Sequence, residues 1–302
     1  MMSVHIRNFG MTADSKEVHL YTLESVSGMR VSVTDLGGML QEVSVPDGKG
    51  GFIDVALGYD GASGYLRFGG SLGAIIGRNA NRIAGASFDL GGTTHRLTNN
   101  DGENNIHSGP HVWRKRLWDV AEDPKDDPDG GASITFGLVS RDGDQGFPGA
   151  ADVRATYTLH PDWRLELALE AQVTKTTIVN LTSHAYWNLN GHASGSVLRH
   201  SFSLDADAYT PVGKGLIPTG EIAPVEGTPY DLRESTNFEN RLYALPDGLD
   251  TNFVLKNDER LEKVATLVGD ETGISMDLYT DAPGLQVYTG CGLKARGKGG
   301  AH

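Results

Sequence analysis

A chain of 302 residues is long enough to bury a large core, as one domain or two. With 26 Lys and Arg against 39 Asp and Glu, its formal net charge is −13, which argues against the clustered positive surface that nucleic acid requires. The single cysteine, Cys291, excludes an internal disulfide framework. No apolar run reaches the length of a secretion signal or a membrane span, so a cytoplasmic protein with no membrane partner is expected.

Short β-like runs separated by turn signals recur along the chain, and 40 glycines punctuate them. "RVSVTDL" (residues 30–36) reads as a strand. "ASFDLGGTTHRLT" (86–98) reads as a hairpin, with Gly91 and Gly92 supplying positive φ at its turn. "AEDPKDDPDGG" (121–131) reads as an acidic surface loop, and "SITFGLVS" (133–140) as a strand. In "RLELALEA" (164–171), Leu165, Leu167, Leu169 and Ala171 alternate with polar positions, the pattern of a strand with one wet face. "SHAYWNLNGH" (183–192) reads as a strand carrying His184 and Tyr186 on one side, because alternate residues of a strand share a face. Long helical periodicity, internal repeats and linkers are missing. The expected architecture is all-β, one domain over residues 1–302, built as a large antiparallel sandwich.

Familiar short motifs fail on context. "GGSLG" (69–73) fits the G-x-S-x-G hydrolase pattern around Ser71, but that pattern needs a strand-to-helix turn, and neither flank supplies one; a glycine-rich loop is expected. His107 and His111 have the i, i+4 spacing of a helical zinc pair, but Gly109-Pro110 between them forbids the helix, so no metal site is expected. Phosphate-loop and dinucleotide fingerprints are absent from the sequence. What remains are polar and aromatic clusters: residues 77–85 with Arg78, Asn79, Asn81 and Arg82; residues 99–113; "SHAYWNLNGH"; "GLDTNFVL" (248–255); and "APGLQVYTG" (282–290). Planar polar groups beside aromatic rings suit a sugar, whose hydroxyls they bond and whose C–H faces they cover.

In this order the clusters resemble the aldose 1-epimerase (galactose mutarotase) family. "GRNANRIAGASFDLGGTTHRLTNNDGENNIHSG" is similar to its long N-terminal signature. "SHAYWNLNGH" is similar to its H-x-Y-[FW]-N-L segment, and "DADAYTPVGKGLIPTGEIAPVEGTPYDLR" (205–233) to its Y-T-P-V…L-I-P-T-G-E-I…G-T-P-[FY]-D stretch. "LDTNFVL" and "PGLQVYTG" follow in the family's order. The resemblance implies a β-supersandwich with no metal or organic cofactor. It implies interconversion of the α and β anomers of a free aldohexose, glucose or galactose, by acid/base ring opening and reclosure. It further implies that His184 is the proton donor, for which an ordinary imidazole pKa near 6.5 is suited, and that His107 is the second active-site histidine. Asn81, Arg82, Tyr186, Asp250 and Gln286 match positions that bind the sugar or lie beside the base.

Three positions depart from the pattern. Thr251 stands where the family often has His and Ser108 where it often has Gly. The family's general base is a Glu in a C-L-E-x-Q-like segment downstream of "PGLQVYTG"; this chain ends "GKGGAH" before such a segment. The sequence therefore suggests a sandwich without its last C-terminal strands, and we favour an incomplete sequence of a normal epimerase. The competing expectation is a carbohydrate-binding protein on the same fold without turnover. A free monosaccharide is the expected partner in both readings; the preferred aldose and the oligomeric state are not legible.

Overall fold

Period-2 alternation organises the protein from its first turns. In the computed structural model, which describes residues 4–126, 131–242, 244–245, 247–293 and 297–300, nearly all regular structure is strand. The described residues fall into two compact units, one within Met1–Trp187 and Ala295–Ala301, the other within Asn188–Lys294.

In the first unit, β1 (His5–Met11), β2 (Glu17–Glu24), β3 (Arg30–Thr34), β4 (Met39–Pro46) and β5 (Phe52–Asp54) form a five-stranded antiparallel meander. A short helix, α1 (Ala62–Phe68), follows. Two-residue strands come next, β6 (Ile75–Ile76) and β7 (Arg82–Ile83). The hairpin β8 (Ser87–Leu90) and β9 (Thr93–Arg96) turns through Gly91 and Gly92 at φ 58° and 78°, as the sequence predicts, because two consecutive positive φ values suit glycine. β10 (Asn105–Ile106) pairs with β7. A four-stranded sheet then runs in order through β11 (Asp119–Asp126), β12 (Ala132–Ser140), β13 (Ala151–Leu159) and β14 (Leu165–Val173). Last comes β15 (Thr182–Ser183), paired with β6.

The two larger sheets of this unit share a core. Tyr21 of β2 meets Phe136 of β12 edge to face at 5.6 Å, and the buried Tyr157 hydroxyl on β13 donates to the Gly38 carbonyl at 2.7 Å. Leu23, Val31 and Val33 from one side and Ile134, Phe136, Val153 and Ala155 from the other are fully or almost fully buried. β14, at the sheet edge, keeps the expected half-wet character: its leucines are partly buried while Glu166 and Glu170 are exposed.

One expectation is corrected here. Residues 121–126 are not loop but the second part of β11, whose pairing with β12 skips between Val120 and Glu122 and again between Glu122 and Lys125. An edge strand with such bulges tolerates Pro124 and a run of charges, which disguised it in the sequence. Residues 127–130 lie outside the described residues.

The second unit holds β16 (Ser201–Leu204), β17 (Ala208–Tyr209), β18 (Ala223–Pro224), β19 (Thr236–Asn237), the short helix α2 (Glu239–Leu242), β20 (Asp250–Val254), β21 (Glu262–Val268), β22 (Ser275–Thr280) and β23 (Gly284–Tyr288). They make two four-stranded antiparallel sheets, β19-β16-β21-β22 and β18-β17-β20-β23. Phe202, Leu204, Val225, Leu232, Phe253 and Leu255 form its core. The fold class is all-β, as the alternation implies.

Ser71 lies in a turn after α1, at φ 53°, not on a strand-to-helix elbow. Here the glycine-rich sequence serves close packing. Gly73 (φ +70) would place a Cβ 1.9 Å from the Leu40 carbonyl oxygen. Its own carbonyl accepts from Leu40 N–H at 2.9 Å, and its N–H donates to the His184 carbonyl at 2.9 Å. Neither neighbour can yield, since both are backbone. Gly73→Ala should cost about 3 kcal/mol from overpacking and left-handed strain together, read as a lowered urea midpoint. A midpoint unchanged from wild type would contradict this account.

Candidate active site

The segment around His184 is only partly a paired strand. After β15 it is laced to two neighbours by single backbone bonds. His184 N–H donates to Ala74 O at 2.8 Å, Leu57 N–H donates to Tyr186 O at 3.0 Å, and Trp187 bridges Ala56. This lacing keeps the alternation the sequence predicts: the His184 and Tyr186 rings stack, with centroids 5.2 Å apart and planes 24° from parallel. Asn188–Asn190 are buried, and the chain turns there.

His107 reaches the same place from the β7–β10 region. Its ring meets that of His184 edge to face, with centroids 5.3 Å apart and an interplanar angle of 79°. It is locked to Asn81 by two reciprocal bonds: Asn81 N–H donates to His107 Nδ1 at 3.1 Å, and His107 N–H donates to Asn81 O at 3.0 Å. Both residues sit at positive φ, 63° and 52°, a region that Asn and His visit more readily than most side chains. Burial, reinforced by His184, Arg82 and Arg114 close by, pushes the His107 pKa down to about 3. His107 is therefore neutral near pH 7. With Nδ1 accepting, its proton sits on Nε2, and the ring can only donate there.

Arg82 Nε donates to Asp101 Oδ2 at 2.7 Å, with the guanidinium largely covered. A carboxylate on one edge fixes the plane of the fork and leaves its other N–H groups to bind an oxygen-rich ligand. Asp101 belongs to the neighbouring polar cluster, residues 99–113, and lies 19 residues after Arg82; an acid there is the signal the sequence offers for this partner. Ser108, a departure from the family pattern, is almost fully buried: its hydroxyl accepts from Asn79 N–H at 2.8 Å and donates to Asn79 O at 3.2 Å. It closes the loop that carries Asn81.

Arg78 leaves the group of candidate sugar ligands. It is 1% exposed and its guanidinium donates to the carbonyls of Pro148, Gly149 and Ser140 and to the Ser140 hydroxyl. It ties loops together and presents no face to a ligand. His111 is exposed, and no group of three or more His, Cys, Asp or Glu able to hold a metal occurs among the described residues.

The first unit thus gathers five of the seven sequence-predicted residues, His184, His107, Tyr186, Asn81 and Arg82. The other two pair with each other in the second unit: Gln286 on β23 lies opposite Asn252 of β20, diagonal to Asp250, and its Nε2 donates to Asp250 Oδ1 at 2.7 Å. Thr251, the other departure, is nearly buried on β20.

The family model for aldose 1-epimerase matches residues 19–301. A galactose mutarotase of Sus scrofa is 38% identical over 305 residues, spanning 100% of this chain and 86% of that protein. An aldose 1-epimerase of Escherichia coli (strain K12) is 34% identical over 287 residues, spanning 93% of this chain and 81% of that protein. The solved structure of a galactose 1-epimerase from Lactobacillus acidophilus NCFM superposes with a TM-score of 0.85 at 27% identity, covering 97% of this chain and 85% of that one. A GalM/aldose epimerase homologue from C. elegans gives a TM-score of 0.84 at 26% identity, covering 100% and 86%. With a match over most of its length and relatives above 30% identity on both sides of the bacterial–animal divide, the chain belongs to the aldose 1-epimerase family of enzymes.

Proposed function

We propose that the protein interconverts the α and β anomers of a free aldohexose, glucose or galactose, with His184 as the acid. The observation that supports this reading most is the pair of histidines at 5.3 Å, one of them held neutral as a donor. Mutarotation needs a proton taken from the C1 hydroxyl and a proton given to the ring oxygen. The C1–O5 bond then opens, the aldehyde turns about C1–C2, and the ring closes on its other face with acid and base exchanged. In this reading His184 delivers the proton to O5, and a carboxylate base, the role the family resemblance gives to a Glu, takes the proton of the C1 hydroxyl. Neutral His107 hydrogen-bonds the sugar through Nε2–H near the same oxygen and does not compete for the proton. Tyr186 stacks on His184 and limits its rotation. Arg82 and Asn81 bind hydroxyls, and Asp250 and Gln286 are assigned to hydroxyl binding as well.

No metal or organic cofactor enters this scheme. Free monosaccharide is the proposed partner, and the cytoplasm the proposed compartment. No helix among the described residues is long and apolar enough to cross a membrane. The family match spans both compact units, which supports reading them as one galactose mutarotase-like domain.

Polarimetry tests the activity. The optical rotation of freshly dissolved α-D-glucose or α-D-galactose should relax faster with the protein than in buffer alone. Relaxation at the buffer rate for both sugars would remove the proposal.

A further inference from the structure

Lys298 stands apart from the chemistry yet is 6% exposed, an uncommon state for a lysine. Its ammonium has three donors and uses each on a different acceptor: Gln41 O at 2.7 Å, Ala56 O at 2.7 Å, and the Asp54 carboxylate. Asp54 is itself fully engaged, since its Oδ1 accepts from Val43 N–H and Ala56 N–H, both at 3.1 Å. The backbone around the lysine docks on the same stretch. Lys298 N–H donates to Gly58 O at 2.9 Å, and Gly299 N–H donates to Asp60 Oδ2 at 2.9 Å. Residues 297–300 thus clamp one edge of the segment 54–60.

The other edge of that segment carries the candidate acid. Leu57 N–H holds Tyr186 O, and Ala56 bridges Trp187. Tyr186 in turn stacks on His184. The segment is packed closely against α1 and β4: a Cβ on Gly58 would lie 2.7 Å from the Tyr65 hydroxyl and 2.8 Å from Gln41 O. A displacement of residues 54–58 is therefore passed to Tyr186 and to the ring it braces.

We propose that Lys298 is a positioning residue for the epimerase reaction, setting the orientation of the His184–Tyr186 pair through the segment Asp54–Gly58. The proposal rests on the reading of His184 as the acid. It predicts an effect on turnover greater than on sugar affinity, because Lys298 touches neither the sugar nor the histidines.

The test compares wild type with Lys298→Met and with Asp54→Asn/Lys298→Met. The double variant matters because the single one leaves a buried carboxylate without its cation, which alone can unfold a protein. Folding is checked by a cooperative thermal melt. The His184 ring signal is followed by histidine-labelled NMR and assigned through its loss in His184→Ala. The expected result, in whichever variant folds, is a kcat lowered about tenfold, a KM within about twofold of wild type, and a displaced His184 signal. If neither melts cooperatively, Lys298→Arg is read in the same way, since a planar guanidinium cannot direct its donors to these three acceptors as an ammonium does.

A folded variant with wild-type kcat, or one with an unmoved His184 signal, overturns the proposal. If wild type itself fails to speed mutarotation, the epimerase reading falls separately. The His184 signal then judges the positioning claim by itself.

Discussion

His184→Ala lowers the rate of mutarotation by about 10²–10⁴-fold, the usual loss when a positioned acid–base group is removed. The structure makes this a clean experiment. What holds the local backbone is the N–H and C=O of residue 184, bonded to Ala74 and Gly73, and alanine retains both. The imidazole contributes ring contacts with His107 and Tyr186 on a partly accessible surface. Its loss should leave the thermal melt within a few degrees of wild type. His184→Gln, which fills similar space and hydrogen-bonds but cannot carry a proton back and forth, should lose as much activity as alanine. The check is polarimetry with both anomeric substrates. Activity within threefold of wild type in the Gln variant would move the acid to another residue.

The second large effect is a pH dependence of stability carried by His107. Its folded pKa, about 3, lies below the ordinary value near 6.5. Between those values the unfolded chain binds the proton and the folded chain does not. Unfolding free energy therefore rises with pH across this window, is fully present above about 6.5, and is lost as pH falls toward 3. One such group contributes a slope of up to about 1.4 kcal/mol per pH unit. His107→Asn should remove that slope while its Oδ1 takes the place of Nδ1 as acceptor for Asn81 N–H. Urea midpoints at pH 7, 5.5 and 4.5 check it: wild type should fall more steeply than the variant. Parallel curves would show that His107 titrates normally. Activity follows the same logic: a histidine neutral throughout this range should give no acidic limb near pH 6.

Much of the site was legible because its motifs are local. The His184–Tyr186 stack follows from alternation over three residues, and the Gly91-Gly92 hairpin from turn chemistry over four. The edge strand Asp119–Asp126 was missed for the opposite reason. Its pairing is irregular, and its Pro and Asp residues carry loop statistics, so only the partner β12 reveals it. Arg78 was misplaced because an arginine among asparagines reads as a ligand-binding cluster. Its real acceptors are carbonyls 62 to 71 residues away.

The sequence by itself determined the all-β class, the failure of the hydrolase and zinc motifs, and the family, since these depend on patterns read within short windows and on their order. Tertiary structure alone decided which tautomer His107 holds, that Asp101 fixes Arg82, and that Lys298 is buried behind the His184 wall. Each depends on burial and on partners brought together by folding. A pKa, a tautomer or a buried ammonium is set by distances of a few ångströms between residues far apart in the chain, which spacing along the sequence does not encode.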